Sequence, residues 1–551
     1  MRTKNFILII CLGALLFIPF LGSVHLFDWD EINFAESARE MLLTHKYSFL
    51  QINFQPFTEK PPLFMWVQAL SMSVFGVNEF AARLPNAIVG IITLLVIFNI
   101  GTRLKDEKFG WIWVLCYIGS FLPHFYFKTG LIDPLFNLFI FLGVYQFVLL
   151  TNPEDFKPTK GITKAVFAGI FIGLAILTKG PVALLVVLFC LIFYWADFGF
   201  KAVLSFRYLV VFLISAFIVS TAWFGLDTIR HGSGFLVGFF ERQVALFNTP
   251  DAGHGGPFYY HFVVLFFGCF PASIFMLSAL RKEKTETYQV RNMKKWMVIL
   301  LFTILLIFTI VKTKIIHYSS LAYFPITFLA SYAIYKIIWV SKAKPGTIIV
   351  ALLFLVGSLL SIALASIPYI ARHINWIEPY IGDEFGREAL KAHVNWTGWE
   401  SLVGMGYFIL FATGIVLYAR KNTRLAGVIS IFVAGVIGLQ LTLYIFTAKI
   451  EAYSQKAAID FFIARQHEDC YVAVWGYKSY AQLYYTQKQP PTDSTIINDG
   501  DMIFRKHIPK PVYLVAKVSD RDAIYEFTHN QGFHMVQSEN GFVFLKKEAG
   551  K

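Results

Sequence analysis

Charged residues are scarce in this sequence: Asp, Glu, Lys and Arg make up 15% of the 551 residues, whereas 56% are hydrophobic. A soluble chain of this length needs far more polar surface to cover its cores, so the composition excludes an ordinary soluble protein. Apolar runs of about 17–25 residues recur along most of the chain, which is the length that crosses a bilayer as a helix. The sequence therefore predicts a mainly α-helical, polytopic membrane protein.

Other features are missing as well. The chain has five cysteines, four of them in apolar runs and Cys470 alone near the C-terminus, which excludes a disulfide framework and a CxxC zinc site. No small-residue cleavage site follows the first apolar run, Phe6–Val24, so we interpret that run as a retained anchor. No internal repeat is visible, which argues against a transporter built from related halves.

The formal charge of +13 is spread over short loops between the apolar runs. This distribution sets membrane orientation and excludes a nucleic-acid-binding surface. We predict about thirteen membrane spans. They cover residues 6–25, 83–102, 109–127, 134–151, 163–178, 181–197, 207–225, 257–280, 295–312, 317–339, 346–367, 401–419 and 425–447.

The loops fix the orientation of these spans. With the N-terminus inside, the loops at 103–108, 157–164, 281–295, 336–344 and 420–424 are inside and basic, and the outer loops are poorer in Lys and Arg. Counting Pro61–Gly76 as a span would reverse this pattern, so we predict an outer interfacial helix there. Apolar residues at helical spacing between Ile32 and Leu42 predict a second one.

The predicted domains are therefore a transmembrane domain, 1–447, and a small outer α/β domain, 448–551. In the second, "YVAVWG", "PVYLVAKV" and "GFVFLKK" have the pattern of short strands, and 457–465 and 520–529 that of helices. This domain is expected on the outer side of the membrane.

Acids and lysines from separate segments collect at the predicted outer face. In "DWDEINF", Asp30 and Glu31 are either a solvated acidic loop or carboxylates that accept a proton from an attacking hydroxyl. In "TEKPPL", Lys60 either extends towards water or joins a helix N-terminus in binding a phosphate. Asp133, before Pro134, is a helix cap, a site residue, or both.

Further candidates lie in other outer segments. Lys179, in a turn too short to be a solvated loop, would meet a carboxylate or a phosphate. Lys314 and Tyr318 are either interfacial anchors or an anion site. His254 is either a metal ligand together with Glu59 or a plain loop histidine.

These stretches together resemble a known family. The ordered set "DE…AE…REM", "EKPPL", "EFAARLP", "DPL", "LTKGP", "HGGPFYY" and "HY" is similar to that of the GT-C glycosyltransferases. It is closest to the branch of lipid A aminoarabinose transferases and protein O-mannosyltransferases. The resemblance runs through most of the transmembrane domain.

The resemblance implies an enzyme that transfers a sugar from a polyprenyl-phosphate donor with inversion at the anomeric carbon. The implied roles follow its motifs: Asp30 is the main catalytic carboxylate and Glu31 supports it, while Asp133 orients sugar or acceptor. Lys60 and Tyr318 bind the leaving phosphate, with Lys179, Arg242 and Lys314 as further cations. Glu59 and His254 match a possible structural metal site, such as zinc, and catalysis needs no cofactor.

Several positions depart from the family pattern, including Asn33 and Leu246, where many relatives have arginine. These departures leave the sugar and the acceptor open. The acceptor is lipid A or another envelope glycolipid in one hypothesis and Ser or Thr of exported proteins in another. A lipid or sugar transporter is the non-enzyme alternative.

Overall fold

The computed structural model describes residues 2–151, 160–201, 203–248, 255–280, 286–341, 344–491, 498–505, 507–529 and 531–550. His254 and parts of the predicted basic loops, including Lys157 and Arg281 to Lys284, lie outside the described residues.

Helices dominate the chain. In order they are α1 (Arg2–Phe17), α2 (Asp30–Thr44), α3 (Leu63–Phe75), α4 (Glu79–Leu104), α5 (Glu107–Ile118), α6 (Phe121–Phe125), α7 (Asp133–Leu150), α8 (Gly161–Lys179), α9 (Val182–Asp197), α10 (Phe206–His231), α11 (Gly234–Asn248), α12 (Tyr260–Gly268), α13 (Ala272–Met276), α14 (Tyr288–Ile310), α15 (Tyr323–Tyr335), α16 (Thr347–Arg372), α17 (Glu384–Ala389), α18 (Ser401–Ala419), α19 (Arg424–Ile445), α20 (Thr447–Glu451), α21 (Lys456–Ile463), α22 (Ala481–Tyr485) and α23 (Arg521–His529). The strands are β1 (Gln51–Ile52), β2 (Gln55–Pro56), β3 (Tyr471–Trp475), β4 (Val512–Lys517), β5 (His534–Glu539) and β6 (Phe542–Lys547).

Nine helices in the described part of the chain are long and apolar enough to cross a membrane. Each coincides with a predicted span. They are α4, α7, α8, α10, α14, α16 and α18, together with Ile316–Val340, which contains α15, and Lys421–Ile445, which contains α19. Local capping sets some of their ends; for example, the Asn78 side chain accepts a hydrogen bond from the backbone N–H of Ala81 at the start of α4. The multi-pass architecture predicted from the sequence is confirmed.

The remaining four predicted spans are less regular. α1 and α9 have 16 residues each and α5 has 12, which is shorter than the roughly 20 residues of an ordinary span. The predicted span 257–280 consists of two short helical segments bent by 108°. The count of thirteen therefore stays a prediction.

Both segments predicted to lie at the interface are helical. α3 has 13 residues, too few to cross a bilayer alone. α2 differs from the expectation, because every residue from Glu31 to Met41 is buried, including Glu36 and Arg39. The helix α22, from the C-terminal part of the chain, also packs against α2. α2 therefore lies inside the protein rather than on a lipid surface.

The C-terminal region contains the predicted strands and one more, β5. The sheet order is β3-β4-β6-β5, with β3 parallel to β4 and the other pairs antiparallel. Side chains alternate along the two central strands: Tyr513 and Phe544 join the core that continues into the helical region, whereas Leu514 and Leu545 form a separate core on the other face. The sheet is thus packed directly against the helical bundle.

Close helix packing gives a first prediction. A Cβ on Gly427 of α19 would lie 2.6 Å from the Tyr418 Cα of α18, with the Tyr418 backbone nitrogen closer still. Because both neighbours are backbone atoms, Gly427→Ala must force the helices apart. We expect a loss of about 1–3 kcal/mol, seen as a lower melting temperature in detergent.

Gly406→Ala is the matched control in α18. A Cβ there has no neighbour within 4 Å, and alanine is favoured over glycine in a helix. Its melting temperature should stay level or rise slightly. Equal losses in the two variants would contradict the packing argument.

Candidate active site

Helix ends from distant parts of the sequence meet at one end of the bundle. Asp30 is the first residue of α2, Asp133 the first of α7 and Lys179 the last of α8. Lys60 precedes α3 by two prolines, and Arg242 lies on α11. Helices end in these positions because charged side chains and prolines interrupt the apolar runs, so the ends collect functional groups at a common depth.

These ends enclose a cavity of about 330 Å³. It is lined by Phe27, Asp28, Trp29, Asp30, Glu31, Asn33, Glu59, Lys60, Leu131, Ile132, Lys179, Arg242, Ile315, His317 and Tyr318. Seven of the ten site residues predicted from the sequence line this cavity. Asp133 contacts two of the lining residues, so the cavity brings together eight of the ten.

Two aspartates flank one histidine in this cavity. The His317 Nε2 lies 3.3 Å from the Asp30 Oδ2 and 3.9 Å from the Asp133 Oδ2. Asp30 is one-third exposed, whereas Asp133 is 3% exposed and accepts a hydrogen bond from the Lys179 Nζ at 2.6 Å. Asp133 makes no capping hydrogen bond, so of its two predicted roles the structure supports the one within the site.

The other Asp133 oxygen, Oδ2, is buried and has no hydrogen-bond partner among the described residues. A buried acceptor of this kind is costly unless a donor reaches it. Because it faces the cavity histidine, a hydroxyl of a bound molecule could supply that donor. Asp30 is the more accessible carboxylate and the one free to exchange a proton with a ligand.

Cations line the same cavity as the aspartates. Burial lowers the pKa of Lys60 below its ordinary value of 10.5; the Asp30 carboxylate opposes this shift and the Lys179 ammonium adds to it. The Lys179 Nζ lies 5.1 Å from the centre of the Tyr318 ring. A phosphate placed here would meet several positive charges in a partly desolvated setting, which strengthens binding.

Glu31 has a different role from its neighbour Asp30. Its carboxylate is 3% exposed and forms two hydrogen bonds with Arg83, at 2.8 and 3.1 Å. It also accepts hydrogen bonds from the backbone N–H groups of Phe27 and Gly130. This saturated carboxylate holds the start of α2 against α4, so it supports Asp30 by position.

Lys314 does not belong to this group. Its Nζ donates hydrogen bonds to the carbonyl oxygens of Phe308, Thr309 and Val311, at 2.6–2.8 Å. All three ammonium protons are thus used at the C-terminal end of α14. The predicted phosphate role of Lys314 is therefore not supported, and a helix-capping role replaces it.

The metal prediction concerns Glu59 and His254, and His254 lies outside the described residues. The Glu59 carboxylate faces two cations, the Lys478 Nζ at 3.5 Å and an Arg242 nitrogen at 4.0 Å. No group of three metal-binding side chains occurs within the ranges that the structure describes. Among these residues Glu59 forms ionic contacts, and a metal site shared with His254 stays a prediction.

Sequence reasoning missed three contributors. In the sequence His317 appears only as part of the motif "HY", with no role assigned, and Arg83 appears only inside "EFAARLP". Lys478 comes from the C-terminal region and gave no local signal, because its partner Glu59 is 419 residues away.

Comparisons with known proteins agree with the resemblance seen in the sequence. The family model described as dolichyl-phosphate-mannose-protein mannosyltransferase matches residues 59–224. The undecaprenyl phosphate-alpha-4-amino-4-deoxy-L-arabinose arabinosyl transferase of Enterobacter sp. (strain 638) is 26% identical over 338 residues, covering 60% of this chain and 59% of that protein. Its counterpart in Edwardsiella ictaluri is 27% identical over 268 residues, 48% of each chain. The chain thus matches about half to three-fifths of the length of these curated relatives.

Solved structures extend the similarity to the whole chain. Crystal structures of ArnT from Cupriavidus metallidurans superpose with a TM-score of 0.75 for the form bound to undecaprenyl phosphate and 0.76 for the apo state, at 17% and 16% identity. Each alignment covers 100% of this chain and 99% of the other. The fold is therefore that of these ArnT structures, a mainly α-helical bundle with a small C-terminal sheet domain, and this agrees with the fold class predicted from the sequence.

The Glu31–Arg83 pair gives a second prediction. Arg83→Met would leave the buried Glu31 carboxylate without its cation, and we expect a loss of about 3–5 kcal/mol. The double variant Arg83→Met/Glu31→Gln should recover part of that loss, because the stranded charge is gone. Thermal unfolding in detergent of four proteins, the wild type, Arg83→Met, Glu31→Gln and the double variant, measures the coupling.

Lys456→Met provides the control for a simple loss of charge. Lys456 and Asp460 form an exposed pair, 43% and 51% accessible, and such pairs contribute at most about 1 kcal/mol. If Arg83→Met were no more harmful than Lys456→Met, Arg83 would not be the anchor that its contacts indicate.

Proposed function

We propose that this protein is an inverting glycosyltransferase that moves a sugar from a polyprenyl-phosphate donor to an acceptor at the periplasmic face of the bacterial inner membrane. The single observation that carries the proposal is the composition of the cavity. It combines an accessible carboxylate, Asp30, with a group of cations that includes Lys60, Lys179 and Arg242. A sugar attached to a phosphate needs these two kinds of group side by side.

The reaction we propose is a single displacement. An acceptor oxygen attacks the anomeric carbon, a new C–O bond forms, and the bond between that carbon and the phosphate oxygen breaks. Asp30 takes the proton if the acceptor is a hydroxyl and orients the acceptor if it is a phosphate. Polyprenyl phosphate leaves with the electron pair.

Negative charge grows on the leaving phosphate as this bond breaks. Lys60, Lys179 and Arg242 are placed to stabilise that charge, and Tyr318 lies beside them in the cavity wall. Asp133 keeps Lys179 in place through their 2.6 Å hydrogen bond. The displacement uses no divalent ion, and a structural metal at Glu59 and His254 stays a prediction.

The proposed location follows from the two ends of the bundle. Basic residues occupy the end opposite the cavity, including Lys105 and Lys108 just after α4, Arg420 just after α18 and Arg424 at the start of α19. Basic loops stay in the cytoplasm, so the cavity end faces the periplasm. A lipid-linked donor suits that side, because nucleotide-activated sugars are cytoplasmic.

The acceptor we favour is lipid A or another envelope glycolipid, as the resemblance seen in the sequence implies. The names of the arabinosyl transferase relatives support the donor side, because they specify a sugar carried on undecaprenyl phosphate. Transfer to Ser or Thr of exported proteins is the second candidate, favoured by the family model that matches residues 59–224. Mass spectrometry of lipid A and of periplasmic glycoproteins, from cells with and without the gene, separates the two.

A sugar-sized loss from lipid A would support the first acceptor. Loss of a protein glycan with unchanged lipid A would move the function to protein glycosylation at the same site. If neither changed, the other envelope glycolipids would be measured next, and a flipping assay in vesicles would test the transporter alternative.

Asp30→Asn tests the catalytic assignment. The amide keeps the shape and the polar contacts of Asp30 but cannot accept a proton, so we expect transfer to fall by at least about 100-fold. Binding of undecaprenyl phosphate and the melting temperature should stay near those of the wild type. Full activity in a well-folded Asp30→Asn protein would refute the assignment.

The lowered pKa of Lys60 gives a pH prediction. The ammonium exists below the pKa, so affinity for undecaprenyl phosphate should weaken as the pH rises, and it should do so while the pH is still below 10.5, the ordinary pKa of lysine. The bound phosphate opposes the loss by favouring the charged form. A titration of dissociation constant against pH in nanodiscs measures this.

Lys60→Arg is the matched variant, because a guanidinium stays protonated throughout this range. Its affinity should be nearly flat with pH. If the wild type and Lys60→Arg weakened in parallel, another group would be responsible and Lys60 would not bind the phosphate.

A further inference from the structure

Trp29, immediately before Asp30, has a backbone conformation that tryptophan rarely adopts. Its φ is 75° and its ψ is −113°, close to the first central position of a type II′ turn, which glycine normally fills. Its side chain lines the cavity and is 37% exposed. A strained residue of this kind persists only where its surroundings fix it, and such residues concentrate at ligand sites.

The surroundings of Trp29 do fix it. The backbone N–H of Trp29 donates to the Asp28 Oδ1 at 2.8 Å. One amide, Gln455, pairs with the preceding backbone: its Nε2 donates to the Leu26 carbonyl at 2.9 Å and its Oε1 accepts from the Asp28 N–H at 3.1 Å. The Lys478 ammonium lies 5.5 Å from the Trp29 ring centre.

This bonding holds the backbone in a form that places an aromatic ring in the cavity wall. An apolar side chain could be buried in the protein interior with an unstrained backbone. The Trp29 ring lines the cavity instead, at the energetic cost of its strained backbone. The polar groups nearby are Asp30, the buried Asn33 and His317. An aromatic surface beside a few polar groups matches a sugar, which has an apolar C–H face and a rim of hydroxyls.

We propose that Trp29 is the specificity-determining contact for the sugar of the donor, stacking on the apolar face of its ring while Asp30 and Asn33 meet the polar rim. This inference rests on the proposed function. The donor sugar is favoured over an acceptor sugar because it is joined directly to the phosphate, and the cavity that holds the phosphate-binding cations measures only about 330 Å³. That volume is at the small end of ligand sites.

The test compares two lipids that differ only in the sugar. Dissociation constants are measured in nanodiscs for undecaprenyl phosphate and for the same lipid carrying 4-amino-4-deoxy-L-arabinose. The readout is the ratio of the two constants, which isolates the contribution of the sugar. In Trp29→Leu we expect the preference for the sugar-carrying lipid to fall about tenfold, with undecaprenyl phosphate binding unchanged.

Three further variants make the result specific. Trp29→Phe should keep most of the preference, because a ring remains. Trp29→Gly should lose it while its melting temperature stays level or rises, since glycine accepts this backbone without strain. Trp399→Leu removes a 54% exposed tryptophan outside the cavity and should leave the ratio unchanged.

The outcomes separate this inference from the proposed function. If the wild type bound neither lipid, the proposed function would fall and the inference with it. If the wild type bound both and Trp29→Leu kept the full preference, only the inference would be overturned. An unchanged ratio with a raised KM for the acceptor would assign the ring to an acceptor sugar and overturn the donor assignment.

Discussion

The Arg83 guanidinium is the point on which the site depends. Its five N–H groups all donate: to the carbonyl oxygens of Leu21, Val24 and His25, and twice to the Glu31 carboxylate. Glu31 in turn accepts the N–H of Gly130, shortly before α7. One ion pair therefore joins the segment after α1, the start of α2, α4 and the approach to α7. Both aspartates of the cavity are positioned from these elements.

Adjacent carboxylates have opposite functions because their surroundings differ. Glu31 is enclosed and hydrogen-bonded on both oxygens, which makes it a structural anion. Asp30, one residue earlier, is one-third exposed, and its Oδ2 lies 3.3 Å from the His317 Nε2. Because Glu31 is held rigidly, the adjacent Asp30 has a fixed position while its own carboxylate oxygens stay available for a ligand. On the other side of His317, Asp133 is also a buried carboxylate, and it is paired with Lys179.

The C-terminal region belongs to the same construction. Gln455 pairs with the backbone before Asp30, the Tyr485 hydroxyl accepts the Leu26 N–H at 2.7 Å, and His25 lies 2.8 Å from Glu451. Burial would raise the pKa of Glu451, but the hydrogen bond from His25 lowers it overall, so this contact is strongest when the carboxylate is charged. A region that could look like an accessory domain in the sequence thus holds the segment that carries the proposed catalytic residue.

By itself the sequence determined the membrane character, nine of the spans, three of the four strands in the C-terminal sheet and the collection of charged groups at one end. These features follow from local patterns, because hydropathy, periodicity and helix-ending residues act over neighbouring positions. Only the tertiary structure decided the partners of the charges. Lys314 caps a helix, Glu59 meets Lys478, and Glu31 meets Arg83. α2 is enclosed on both faces because a distant helix, α22, covers its polar side. Ion pairs form between whichever groups the folded chain brings within a few ångströms, and separation in sequence carries no information about that distance.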